Sequence, residues 1–191
     1  MNKVGIITFH CADNFGAVLQ AYSLQEVVAK MGFEPEIIDF RPDRIVDNYS
    51  IFFNNRKSIE KIGLSRTIKK YLSNIKNIKD IKRRMSNFNN FRNEFLKLSS
   101  NTYYTSNELL KNPPKYNYYI TGSDQVWNPH FFSEIGESYF LDFAINDSIK
   151  ISYAASIANQ IEDKYLEVFK KKLKKIWLYF NKRKISKKSN W

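Results

Sequence analysis

The sequence predicts an α/β protein built as a Rossmann-like three-layer sheet. Three features predict it. A strand, a helix and a second strand fall within the first forty residues, further short apolar runs alternate with helical stretches, and 43% of the 191 residues are hydrophobic. That apolar content supports one sizeable core and not a disordered chain. A strand–helix–strand unit of this length joins two parallel strands by a right-handed crossover.

The elements follow in order. Residues 3–9, KVGIITF, read as a buried strand, and HCADNFG as the loop after it. In the next stretch, AVLQAYSLQEVVAKMG, residues Val18, Ala21, Tyr22, Leu24, Val28 and Met31 recur at helical spacing, with Gly32 as the stop. Residues 34–40, EPEIIDF, form the second strand. Residues 51–100 hold a single glycine, Gly63, and no proline, which predicts two or three helices, the last near Met85–Leu98. ELL at 108–110 is a short helical piece, stopped by Pro113-Pro114. YNYYITG (116–122) is the third clear strand; SYFLDF (138–143) and KISYAASIA (150–158) read as two more. A helix over 162–176 completes the pattern.

The net charge of +12 suggests an anionic partner until its distribution is considered. Residues 51–100 carry thirteen basic and three acidic side chains, and residues 171–191 carry nine basic and none acidic. The rest of the chain is mildly acidic. A solvated helix face accounts for the middle segment, so no nucleic-acid partner is expected, and a patch facing an anionic polymer or a membrane surface is the alternative. A lone cysteine, Cys11, excludes an internal disulfide framework. Two histidines and one cysteine do not make a metal site. No apolar stretch approaches the ~20 residues of a membrane helix, and MNKVGIITFH lacks a signal-peptide core. The expectation is a cytoplasmic protein.

In parallel sheets ligands bind beyond the carboxyl ends of the strands, which puts HCADNFG and GSDQVW on one rim. Asn14, Phe15 and Gly16 stand where free backbone N–H groups and the helix dipole favour a polar ligand, although, taken alone, an N-cap and a tight turn explain Asn14 and Gly16 better. The segment is no dinucleotide fingerprint, since it has one glycine. Asp39 only imitates a ribose-binding acid and is better read as a rim residue or a partner of Arg41. Cys11 is expected to be buried. His10, at a strand end, is a candidate acid or base. Gly122 permits the chain to turn at the rim, and Ser123 and Asp124 support a turn. Gln125, Trp127 and Asn128 go beyond that need. A carboxylate, amides and an indole suit a sugar, with hydroxyls bonded by the polar groups and a ring stacked on the indole.

The blocks ITFHCADNFGAVLQAYSLQ (7–25), FRNEFLKLS (91–99), YITGSDQVWNP (119–129), YFLDF (139–143) and KISYAASIA (150–158), in that order, resemble the polysaccharide pyruvyl transferase family. The resemblance spans about residues 3–175. It implies the N-terminal half of a two-domain, glycosyltransferase-B-like architecture. It also implies transfer of pyruvate from phosphoenolpyruvate, as a ketal, to a sugar of a cell-surface polysaccharide or its lipid-linked precursor. The resemblance implies no cofactor, phosphoenolpyruvate as donor substrate, and a cytoplasmic protein for which the inner face of the membrane is one location. Asp124 and His10 become candidates to serve the acceptor hydroxyl. Asn14, Phe15, Gly16, Gln20, Gly122, Ser123, Gln125, Trp127 and Asn128 become candidate substrate contacts. After residue 175 the sequence IWLYFNKRKISKKSNW is unlike the family, and a one-base slip in the lysine codons would restore a family-like reading. The expectation is therefore a Rossmann-like domain over 1–175, an out-of-frame tail over 176–191, a missing C-terminal domain and no activity. The alternative is a non-catalytic module that binds an anionic glycan or a membrane-associated partner.

Overall fold

A computed structural model describes residues 2–49, 75–129, 137–158, 161, 163–176 and 178–180. The elements are β1 (Lys3–Ile7), α1 (Phe15–Lys30), β2 (Glu34–Phe40), α2 (Asp43–Val46), α3 (Ile78–Phe95), β3 (Leu98–Tyr103), α4 (Ser106–Lys111), β4 (Tyr118–Asp124), a 3₁₀ turn (Ser138–Phe140), β5 (Ile149–Ala155), α5 (Asp163–Leu173) and β6 (Leu178–Phe180). The strands form one sheet in the order β3-β2-β1-β4-β5-β6, and every neighbouring pair is parallel. The predicted Rossmann-like α/β class is what the chain adopts.

Alternation along the strands builds two cores. Val4, Ile6, Ile37 and Ile120 face one side with Leu24 and Val28 of α1. Ile7, Ile38, Phe40 and Tyr119 face the other, packing on Trp127, Tyr139, Phe140 and Phe169. Both faces of the central strands are therefore dry, as parallel sheets require. Gln25, buried in α1, fastens that helix to the end of α3: its Nε2 donates to Phe95 O at 3.0 Å and its Oε1 accepts from Lys97 N at 2.7 Å. Gly32 ends α1 with φ of 88°, where a residue with a Cβ would be strained.

Several expectations require correction. SYFLDF is no strand: Ser138–Phe140 is a 3₁₀ turn, and Leu141 follows with φ of 59°. Tyr139, Phe140, Leu141 and Phe143 are all buried, so the run plugs the core beneath the sheet. The stretch 98–103 forms the edge strand β3, although the helix was expected to reach Leu98. LSSNTY has little apolar alternation, and its strand arises from pairing with β2. β1 stops at Ile7, and the run at 150–158 is a strand only to Ala155. Asp43–Val46 is a helix that the sequence reading passed over. The helices expected before residue 75 lie outside the described residues.

Candidate functional site

The strand order turns back on itself between β1 and β4, and the crevice at such a switch point is where parallel α/β sheets take ligands. The two loops singled out in the sequence leave the carboxyl ends of these same two strands. From β1 the chain passes through a tight turn, with Ala12 N bonded to Phe9 O at 3.1 Å and Asn14 N to Ala12 O at 2.8 Å. Asn14 is the N-cap of α1, its Oδ1 accepting from Ala17 N at 3.2 Å. Gly16 sits against that oxygen, where an added Cβ would stand 3.2 Å away.

The tip of β4 is more constrained. Gly122 has φ of 106°, and a Cβ there would lie 2.2 Å from the Tyr153 carbonyl oxygen. Asp124 has φ of 102°, a region costly for any residue but glycine and one that collects at functional sites. Its Oδ1 accepts from Gln125 N at 2.7 Å. Burial pushes the Asp124 carboxyl above the ordinary aspartate range, opposed by that backbone bond.

A closed ring of hydrogen bonds holds the tip in place. Ser123 Oγ donates to Gln20 Oε1 at 2.9 Å, Gln20 Nε2 donates to Thr8 Oγ1 at 2.6 Å, and Thr8 Oγ1 donates to Ser123 O at 2.9 Å. Gln20 Nε2 also reaches Ala17 O at 3.0 Å. Each polar atom in the ring has a defined role, so β1, α1 and β4 are cross-braced directly under Asp124. Gln20 and Ser123 are thus occupied as braces.

Between the loops lies a polar pocket of about 160 Å³ whose walls include Asn14, Asn48, Tyr49, Asp124 and Gln125, with Phe9 among the apolar residues that line it. Here the structure unites three residues chosen from the sequence, Asn14, Asp124 and Gln125. Others stand apart. Trp127 is 1% exposed; its ring stacks on Phe140 at 5.3 Å and its Nε1 donates to Tyr139 O at 3.0 Å. The indole face expected to meet a sugar is taken up by the core. Asn128, also buried, donates to Gln125 Oε1 at 2.8 Å. Phe15 points away from the pocket, packing on Phe88 at 5.1 Å and lining a second, apolar groove of about 400 Å³ between α1 and α3.

His10, expected on the rim, is fully buried beneath it. Its Nε2 lies 3.0 Å from Asp39 Oδ1 and its Nδ1 3.3 Å from Thr8 O. Asp39 also accepts from Arg41 Nε at 2.6 Å and Thr102 Oγ1 at 2.7 Å. Burial raises the Asp39 carboxyl, but these three donors outweigh it and hold the group well below the usual carboxylate range. Asp39 is the partner of Arg41 that the sequence suggested. Cys11 is buried too, and burial pushes its thiol up to about 12, against the pull of Arg92 and Arg41. A thiol so protonated is no nucleophile.

Sequence reasoning missed Thr8, Asp13, Asn48, Tyr49 and Arg92. Arg92 reaches from α3 to Asp13 in the first loop, Nη2 to Oδ1 at 2.8 Å. It lies in the FRNEFLKLS block, which was the available signal. Among the described residues no group of three or more His, Cys, Asp or Glu side chains gathers to hold a metal ion. No described helix is long and apolar enough to cross a membrane.

The fold and the crevice define a Rossmann-like α/β protein with a polar pocket at its switch point. Residues 14–181 match the family described as polysaccharide pyruvyl transferase, and the chain belongs to that family. No curated protein and no solved structure matches it.

Proposed function

We propose that this chain carries the acceptor side of a pyruvyl transferase that builds a pyruvate ketal on a sugar, with phosphoenolpyruvate as donor. The observation that carries the reading is the pocket joining Asn14 to Asp124 and Gln125 at the switch point. Ketal formation needs two hydroxyls of one sugar. The first adds to C2 of the donor while a proton enters its methylene carbon; the second then displaces phosphate. A carboxylate at the acceptor hydroxyl accepts the proton released, and Asp124, which lines the pocket, is our candidate for that role. The side-chain NH2 groups of Asn14 and Gln125 offer hydrogen bonds to neighbouring hydroxyls. His10 and Trp127 are buried behind the rim and line no part of the pocket, so neither is assigned a substrate contact.

The donor brings a phosphate and a carboxylate, which call for cations. No Lys or Arg lines the pocket among the described residues, and Arg41 and Arg92 are already paired with Asp39 and Asp13. The pocket suits a neutral, hydroxyl-rich ring. Saturation-transfer NMR on the 191-residue chain with methyl glycopyranosides tests this. Transfer to ring protons, undisturbed by phosphoenolpyruvate, is expected; absence of any transfer refutes it. Phosphate release from phosphoenolpyruvate and a glycan is expected to be nil with this chain alone. Turnover would place the donor site within it.

A second reading has its own observation. The apolar groove between α1 and α3 is lined by Phe15, Leu19 and Phe91 together with Arg83 and Arg84, and Phe15 is 76% exposed. It adjoins the polar pocket through the Asn14–Phe15 bond. An acceptor carried on a lipid, or a membrane-associated partner of a non-catalytic module, would use this groove. Cosedimentation with anionic vesicles, diminished by Arg83→Glu, favours that reading; its absence removes it.

A further inference from the structure

We propose that Tyr49, and not Trp127, is the aromatic residue that meets the sugar ring in the rim pocket. The inference rests on the acceptor reading above and assigns a binding residue to it.

Sugar recognition calls for an aromatic body beside hydrogen-bonding groups. Trp127 cannot supply it, since Phe140 stacks on the indole at 5.3 Å with planes 7° apart and the residue is 1% exposed. Among the described residues two aromatic side chains line the pocket, Phe9 and Tyr49. Phe9 is 6% exposed and its ring is engaged edge-on with Tyr139 at 5.1 Å. Of the two, Tyr49 is the more exposed, being only partly buried.

Its placement is built in. Pro42 starts α2, and Ile45 anchors that helix in the main core, with Val46 and Tyr49 packed against the same cluster. Tyr49 N bonds to Val46 O at 3.0 Å, and Arg84 Nη2 of α3 donates to Tyr49 O at 3.3 Å. The backbone is therefore fixed from two sides while the ring lines the pocket. The phenol also stands in the field of Asp13 and Asp124: burial first, then these two carboxylates, raise its pKa. A phenol that stays protonated near a carboxylate is a hydroxyl donor beside the proposed base. Asn48, adjacent, lines the same wall, with its Nδ2 already given to Arg44 O at 3.0 Å. The short helix α2 and the turn after it thus form the third wall of the pocket, opposite the two loops at the switch point.

Saturation-transfer NMR with methyl glycopyranosides decides it, using Tyr49→Ala, Tyr49→Phe and Trp127→Phe beside the unaltered chain, each checked by thermal melting. Tyr49→Ala is expected to weaken binding at least about fivefold, the scale of one aromatic contact. Tyr49→Phe should retain most of it, and Trp127→Phe all of it. If Tyr49→Ala proves unstable, Tyr49→Leu, which keeps the apolar bulk against the core, takes its place. Unchanged binding in a folded Tyr49→Ala or Tyr49→Leu variant overturns the inference while leaving the acceptor reading intact. So does loss of binding in a folded Trp127→Phe variant with none in Tyr49→Ala. No transfer even to the unaltered chain defeats the acceptor reading and the inference with it.

Discussion

Arg92 of α3 and Asp13 of the rim loop form an ion pair of 2.8 Å in which neither side chain is more than 7% exposed. The same Arg92 nitrogen reaches Asn89 Oδ1 at 2.7 Å, while Nε and Nη1 are buried with no hydrogen-bond partner among the described residues. The pair is the strut that ties the rim loop to the helical layer. Removing one member of a buried pair strands the other charge, at about 3–5 kcal/mol. Arg92→Met is expected to lose stability on that scale in urea unfolding. The double change Arg92→Met with Asp13→Asn should lose clearly less than the sum of the single changes. A single-variant loss below about 1 kcal/mol would remove the strut from the account.

Gly122 is expected to tolerate no other residue. Alanine there needs both φ of 106° and a Cβ 2.2 Å from the Tyr153 carbonyl oxygen. That atom belongs to the paired strand β5, where Gly122 and Tyr153 are partners in register, so it cannot swing aside as a side-chain end could. Gly122→Ala should split β4 from β5 and lower the melting temperature by ten degrees or more, on the order of a severe core lesion. Gly16→Ala, whose nearest contact is a side-chain oxygen at 3.2 Å, is the mild counterpart. Equal effects of the two would contradict this.

How much of this was legible beforehand depends on where the information sits. β1, α1, β2 and β4 announce themselves because apolar residues recur at the period of the element they build. The switch point follows from the order of those elements, so the meeting of Asn14 with Asp124 and Gln125 was readable. β3 was not, because LSSNTY becomes a strand only through its neighbour. The burial of Trp127 and His10 was equally hidden. Both residue types serve rims and cores alike, and only Phe140 in one case and Asp39 in the other decide between the two. Tyr49 lies in the turn after a helix of four residues, too short to show a period.

Gln20 is expected to matter more to ligand binding than to stability. Gln20→Leu keeps the bulk but opens the ring that fixes Ser123, leaving Thr8 Oγ1 its bond to Ser123 O. A loss of about 1–2 kcal/mol in unfolding is expected from the stranded hydroxyl and the lost bonds. Glycoside binding should fall more steeply, because Asp124 directly follows the released residue. Binding that survives with stability alone reduced would make the brace purely structural.

Asp39 should impose an acid limb on stability. Its folded carboxyl lies below the ordinary value, so the unfolded chain binds the proton more tightly. Stability from this group is fully present above the unfolded pKa of about 3.9 and is lost as pH falls from there toward the folded value. His10, Arg41 and Thr102 face the carboxylate, and the Ser99 hydroxyl takes its backbone N–H. Asp39→Asn is expected to lower stability at pH 7 and to flatten the fall between about pH 4 and pH 2. An acid limb of the same steepness in the variant would place the titration elsewhere.

Asp124 sets stability against function, and three substitutions separate the terms. At φ of 102° an aspartate is strained, by about 1–3 kcal/mol. Its carboxyl is also raised by burial. A group raised in the folded state costs stability as pH climbs past its ordinary value, and the penalty is complete once pH exceeds the folded value. Asp124→Asn removes the charge and keeps the backbone strain; Asp124→Gly removes both, against about 0.5–1 kcal/mol of added chain entropy. Asp124→Ala keeps the strain and loses the bond from Gln125 N. The expected order of stability at pH 7 is therefore glycine above alanine by about 1–2 kcal/mol, with glycine at or above the natural residue. Glycoside binding should be weakest in the glycine and alanine variants, which lack the side chain that reaches the ligand. An alanine variant as stable as the glycine variant would show that the backbone is relaxed at this position, and Asp124 would then be held by its neighbours with no strain set aside for function.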